Sequence, residues 1–272
     1  MSLVAASRSE LTKQFTTSLW WVLALILVLY VGFTTALLGL TFAGVSTGRL
    51  PGSSGPPIPI DGLAALVYST ATSVGYVFPL LIGTLMVTAE FRHKTLTATF
   101  LAVPRRGLVL GAKFAVGILL GLLYGAIGIA AAVGAGAGSL AAFGVDTALG
   151  SADTWALVAR MLLAYVLWVL VGIGVGTAVR NQVAAIVIVL AVTLFVEPIA
   201  RTAAGFVDGI DEVTRWLPSA ASDALVGQTI FTAMSATGGE QPVWWVGGLV
   251  LLGYAVVLLL VGQLSTWRRD VN

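Results

Sequence analysis

Six long, uninterrupted apolar runs, at residues 19–40, 63–89, 108–133, 155–179, 183–200 and 243–266, alternate with shorter polar stretches along this chain. Each run is sized to cross a bilayer as a helix, because about 20 residues span a ~30 Å hydrocarbon core. Strands of a membrane barrel would alternate polar and apolar positions over about ten residues. These runs do not alternate. The pattern predicts an all-α integral membrane protein, one domain over residues 1–272 with six transmembrane helices.

The segments between the runs refine this picture. In residues 1–17, Val4, Leu11 and Phe15 fall near one helical face, with Arg8, Glu10, Lys13 and Gln14 largely elsewhere. That pattern predicts a short amphipathic helix in the membrane interface, an elbow before the first span; a disordered leader is the alternative. Residues 44–62 carry Pro56, Pro57 and Pro59 and read as an irregular external loop. Pro79 predicts a kink in the second span. Pro104 is placed to begin a helix leading into the third span. That span is rich in glycine, Gly121 and Gly125 forming a GxxxG that permits close helix approach. Residues 134–154 are expected to form a second external loop. Between the last two spans, Val213, Trp216 and Leu217 have i, i+3, i+4 spacing. Short amphipathic helices dipping into the outer leaflet are expected there.

Composition agrees and adds an orientation. The chain is 58% hydrophobic and 10% charged, against roughly 25% charged in soluble domains. It has no cysteine and one histidine, which excludes disulfides and thiolate metal sites and argues against a haem pair. With both termini in the cytoplasm, ten of its fourteen basic residues fall inside: Arg8, Lys13, Arg92, Lys94, Arg105, Arg106, Lys113, Arg180, Arg268 and Arg269. Glu10, Glu90 and Asp270 are the only acids on that side. The positive-inside rule therefore puts both termini of this multi-pass protein in the cytoplasm.

Chemistry is scarce. There is no GxxxxGK[ST], HExxH or GxSxG in the chain, so neither a phosphate-cradling loop nor the commonest hydrolase constellations are present. The chain reads as a pathway rather than an enzyme, with no metal site and no cofactor of its own.

The most informative stretch is the basic loop between the second and third spans. It reads E-F-R-H-K-T-L-T-A-T-F-L from residue 90, followed by P-R-R at 104–106. Together with the SELTKQ elbow at 9–14, the Trp20-Trp21 opening of span one, Lys113 in span three and W-L-P-S-A-A-S-D-A-L at 216–225, it resembles the permease subunit of type-two ABC exporters, especially the compact actinobacterial kind. The resemblance covers nearly the whole chain, and the E-[FY]-R-x-x-T-L loop is its most specific part.

The resemblance implies a dimer with a second permease, identical or related, on two separate ABC ATPase subunits that bind ATP and Mg. It implies the plasma membrane of a bacterial cell. It places a cytoplasmic coupling helix in the loop 90–106, with Glu90, Phe91, Arg92, His93, Lys94, Thr95 and Leu96 docking on the ATPase. It also implies a substrate path lined by spans two and five, with Tyr68, Thr72, Tyr76, Phe78, Thr193 and Phe195 as candidates. A mixed aromatic and hydroxyl surface suits a hydrophobic or amphipathic cargo such as a drug, antimicrobial peptide or lipid. No feature points to nucleic acid.

Arg160 and Glu197 lie inside the fourth and fifth spans. Intramembrane charges are expensive and usually paired or functional, so a mutual ion pair is one expectation and snorkelling of each to the headgroups the other. Two further function classes stay open: a self-sufficient channel or secondary transporter, and a non-transporting immunity or sequestration protein.

Overall fold

The computed structural model describes residues 2–49, 62–95, 99, 101, 106–204, 206, 207, 209–229, 232 and 243–264. Among the described residues every regular element is a helix. Six helices are long and apolar enough to cross a membrane: Leu19–Ser46, Leu63–Arg92, Gly107–Ala142, Ala152–Ala178, Gln182–Ala203 and Trp244–Gly262. This is a multi-pass membrane protein. The prolines at 56, 57 and 59, the segment 102–105 with Pro104 and Arg105, Ile230 and the basic tail 267–270 lie outside the described residues.

Spans two and four form the centre. Their apolar windows are 72% and 61% buried within the protein, against 28% or less for spans one, five and six. Glycine decides how closely the two central helices meet. A Cβ on Gly83 would overlap the backbone carbonyl of Val169, and one on Gly172 would overlap that of Leu80. With no hydrophobic force between helices inside lipid, such close backbone approach supplies dispersion contacts that larger residues would block. The GxxxG glycines of span three serve the same purpose: Gly121 faces Val166 and Gly125 faces Leu162 and Tyr165, all on span four.

Buried tyrosines bind the spans to one another through backbone carbonyls. Tyr165 donates to Ala71 O at 2.7 Å, Tyr124 to Trp20 O at 2.7 Å, and Tyr68 to Thr147 O at 2.7 Å. A buried phenol needs such a partner.

Several expectations need correction. Residues 134–154 are not all loop, because span three continues as helix to Ala142. Its glycines there are packing positions: a Cβ on Gly136 would crowd Tyr68 and Val67, while Ser139 fills the space above Gly39. Span two is interrupted twice, at Ser69 and at Tyr76. The second break fits Pro79, whose ring excludes the carbonyl four residues earlier and whose nitrogen donates nothing. Between spans five and six, two short helices appear, Ile210–Thr214 and Pro218–Val226. Trp216 and Val213 are exposed, but the second helix is sunk into the protein, with Ala221 through Val226 all buried. It packs under span six, where Gly247 leaves room for the backbone of Ala221 and Leu225.

Span two ends in a tight reversal. Lys94 N–H bonds to Phe91 O and Thr95 N–H to Glu90 O, with Lys94 at φ 54°. This is a Schellman cap, whose left-handed position favours glycine. Lys94→Gly should therefore raise thermal stability by about 1 kcal/mol, measured by melting the purified protein at neutral pH.

Candidate functional site

Two polar centres are built into this apolar bundle, one where the C-terminal end of span two meets the start of span three and one near the opposite end. The first involves the N-terminal helix Leu3–Phe15, capped by the Ser2 side chain accepting from Ala5 N–H. Its inward face is not Val4, Leu11 and Phe15 together: Val4 and Phe15 are exposed, and Ala6 and Glu10, one turn apart, are buried. Glu10 reaches Lys113 at 2.7 Å and Lys13 at 2.7 Å. Glu90, in the last turns of span two, takes Lys13 at 2.8 Å and Lys113 at 3.1 Å. The four side chains close a ring of alternating charge in which each carboxylate faces both ammonium groups.

The ring is neutral and mostly dry. Lys113 is fully buried, Glu10 and Glu90 nearly so, and only Lys13 is partly open to solvent. The Lys113 ammonium is therefore held by the two carboxylates and by Met86 O at 3.4 Å. Burial opposes ionisation of Glu10, but the Lys113 and Lys13 charges outweigh it and hold the carboxyl below its usual range. Burial likewise opposes the charge on Lys13, and Glu10 and Glu90 more than reverse that, raising its ammonium above the usual lysine range.

This geometry divides the expected docking set. Glu90 faces inward and Phe91 is half-buried against the protein's own core. Arg92, His93, Lys94 and Thr95 are exposed. Leu96 lies outside the described residues, as does most of the expected coupling helix. Sequence reasoning missed Glu10 and Lys113 as partners. The available signal was a lysine inside an apolar run and an acid on an otherwise mild helix face.

The second centre surrounds a cavity of about 150 Å³ between spans one, two and five and the helix Pro218–Val226. Of the six candidate path residues, Thr72, Tyr76 and Thr193 line it. The other candidates do not. Tyr68 is buried elsewhere and bonded to Thr147 O, Phe78 lies beside Tyr30 with ring centroids 6.0 Å apart, and Phe195 is on the outer surface of span five.

Span five widens into a π-helical turn at Val192–Val196, immediately before Glu197 and Pro198. Pro198 has no N–H to give the preceding turn, and a wide turn relieves its clash with the carbonyl four residues back. Tyr76 OH instead donates to Thr193 O at 3.2 Å. The same ring stacks on Trp168 at 4.5 Å, and Trp168 Nε1 donates to Ser222 Oγ at 3.1 Å. The break in span two and the wide turn in span five thus meet at one tyrosine.

The expected Arg160–Glu197 pair is not formed. Glu197 accepts from Ser219 N–H at 3.1 Å, satisfying a free donor at the start of a buried helix. Arg160 donates to Ala156 O on its own helix and lies against Gly227. The ion pair at this end joins Arg201 to Asp223 at 2.7 Å. Both Arg201 and Asp223 lay in what the sequence read as a polar connection, so their meeting required the helix Pro218–Val226 to fold inward. Burial pushes the Asp223 carboxyl up, a push that Arg201 beside it only partly offsets.

Among the described residues no cluster of three or more metal-ligating side chains occurs. No protein-family model and no curated protein matches this chain.

Proposed function

We propose that this chain is the membrane-spanning permease subunit of an ATP-driven exporter of the type-two ABC kind. In this reading it sits in a bacterial plasma membrane with both termini in the cytoplasm. It dimerises with an identical or related permease, couples to two ATPase subunits that bind ATP and Mg, and moves a hydrophobic or amphipathic molecule outward. The chain itself is not an enzyme.

The observation that carries this reading is the ring Glu10–Lys13–Glu90–Lys113. It joins the N-terminal helix, the last turns of span two and the start of span three through pairings of 2.7–3.1 Å. Directly beyond it, Arg92 through Thr95 are exposed. An exposed basic segment on a stem braced by buried charge is what force transmission from a partner requires. A loop that served only to fix orientation would need the positive charges but not the brace. The apolar faces of spans one and five, with Phe33 and Phe195 largely exposed, offer surface to lipid and to a second permease.

The test is purification of the tagged chain from its host in mild detergent, with co-purifying proteins identified and ATPase activity assayed. A near-equimolar ATP-binding subunit is expected, and Arg92→Ala with Lys94→Ala should remove it while leaving the melting temperature within a few degrees. Phe91 is left intact because it packs in the chain's own core. A chain that arrives alone, without ATPase activity and indifferent to the double substitution, would refute the exporter reading.

A further inference from the structure

The residues lining the cavity between spans one, two and five carry no net charge. Arg201 and Asp223 border it and are paired with each other at 2.7 Å. Glu197 stands outside the lining and is hydrogen-bonded by Ser219. Much of the remaining wall is apolar: Val74, Val77, Leu194 and Pro198, with Tyr76 stacked on Trp168 at 4.5 Å. At about 150 Å³ there is room for a benzene-sized group. Tyr30 and Leu194 line the cavity and are also exposed, so it opens on the outer surface of the bundle.

One hydroxyl in this wall keeps its proton unshared. Thr72, Thr193 and Tyr76 each donate to a backbone carbonyl, at 2.9, 2.7 and 3.2 Å. Ser73 also lines the cavity and is more than nine-tenths buried, yet its hydroxyl has no hydrogen-bond partner among the described residues. A helical serine commonly donates to the carbonyl four residues earlier. Here that carbonyl, Ser69 O, already accepts from the N–H of Thr72, the N–H of Ser73 and the Thr72 hydroxyl, and a carbonyl oxygen has two lone pairs. A buried donor in this state is costly until an acceptor reaches it.

We propose that this cavity binds the uncharged ring of an amphipathic molecule that carries an acceptor oxygen, as an aryl ketone, ester or amide does. Ser73 donates to that oxygen, Tyr76 and the aliphatic wall enclose the ring, and the rest of the molecule leaves between Tyr30 and Leu194. A charged head of either sign is disfavoured. It would shed its water where Arg201 and Asp223 already neutralise each other. That the ligand is cargo rests on the export reading. That it binds does not, because the measurement uses the chain without an ATPase, and a failure to bind leaves the co-purification result untouched.

The experiment is equilibrium binding of radiolabelled acetophenone to the full chain in nanodiscs, with empty discs subtracted. Three molecules of nearly the same shape compete: isopropylbenzene, which lacks the acceptor, benzoate and benzamidinium. Saturable binding is expected, with isopropylbenzene about fivefold weaker, the effect of one hydrogen bond, and both ions weaker still. Ser73→Ala removes only the donor and should bring acetophenone and isopropylbenzene to equal affinity. Because it deletes a buried unpartnered hydroxyl, it should fold at least as well as the parent. Ser73→Leu fills the space instead and should abolish binding of both. Competition by benzoate or benzamidinium equal to that of acetophenone, an unchanged preference for acetophenone in Ser73→Ala, or full binding in Ser73→Leu would each overturn the proposal.

Discussion

Lys113→Met will destabilise the protein by about 3–5 kcal/mol, the range for removing one partner of a buried ion pair. Lys113 is wholly enclosed and bonded to Glu10 at 2.7 Å and Glu90 at 3.1 Å. Without it, two nearly buried carboxylates share only Lys13, which is half open to solvent. The N-terminal helix should detach, read as a lower melting temperature together with rapid proteolysis within residues 3–15. Adding Glu10→Gln to Lys113→Met restores neutrality around the Lys13–Glu90 pair, so the double variant should be more stable than the single one. A double variant that is worse still would show that packing, not charge, holds the helix.

The ring also sets a pH window. Glu10 has its folded value depressed, so its contribution is present above the ordinary 4.5 and is lost as pH falls through the lower folded value. Lys13 has its folded value raised, so its contribution is present below 10.5 and is lost as pH rises through the higher folded value. Acid melting should therefore weaken the N-terminal attachment below about pH 4.5, and Glu10→Gln should flatten that dependence.

The second large effect is expected at the centre of the bundle. Gly172→Val places a Cβ on the carbonyl of Leu80 and against the backbone N–H of Thr84. Both obstacles are main chain and cannot rotate away, so spans two and four must separate. A loss of about 3 kcal/mol or more is expected, at or above the upper range for overpacking, with poor expression as its cellular form. Gly253→Val, on span six with open space around it, is the matched control and should melt within about 0.5 kcal/mol of the parent, as surface changes do. Equal losses at the two positions would mean that helix propensity, not the contact between spans two and four, is responsible.

These two regions mark where reading the chain reaches its limit. Lys113 sits in an apolar run and Glu10 lies 103 positions earlier; no periodicity joins them. Glu90 was grouped with its exposed neighbours because a linear motif does not say which side chain turns inward. The helical period does decide that: the turn ending at Arg92 leaves Glu90 on the protein side and Arg92 outside. Asp223 and Arg201 looked like polar loop residues, and Glu197 appeared to need Arg160. The inward fold of Pro218–Val226 gave Glu197 a backbone donor instead.

By itself the sequence determined that the chain is helical and carries six segments long and apolar enough to cross a membrane. Continuous apolar runs of that length have one stable form in lipid, where every backbone group must be bonded within its own segment. It also determined that Pro79 would disturb its helix, since a missing N–H is a local fact. Only the tertiary structure decided which charges meet and which glycines touch backbone. Those outcomes depend on the rotation and depth of each helix against its neighbours. They are set by close packing and by the need to neutralise buried charge across residues far apart in the chain.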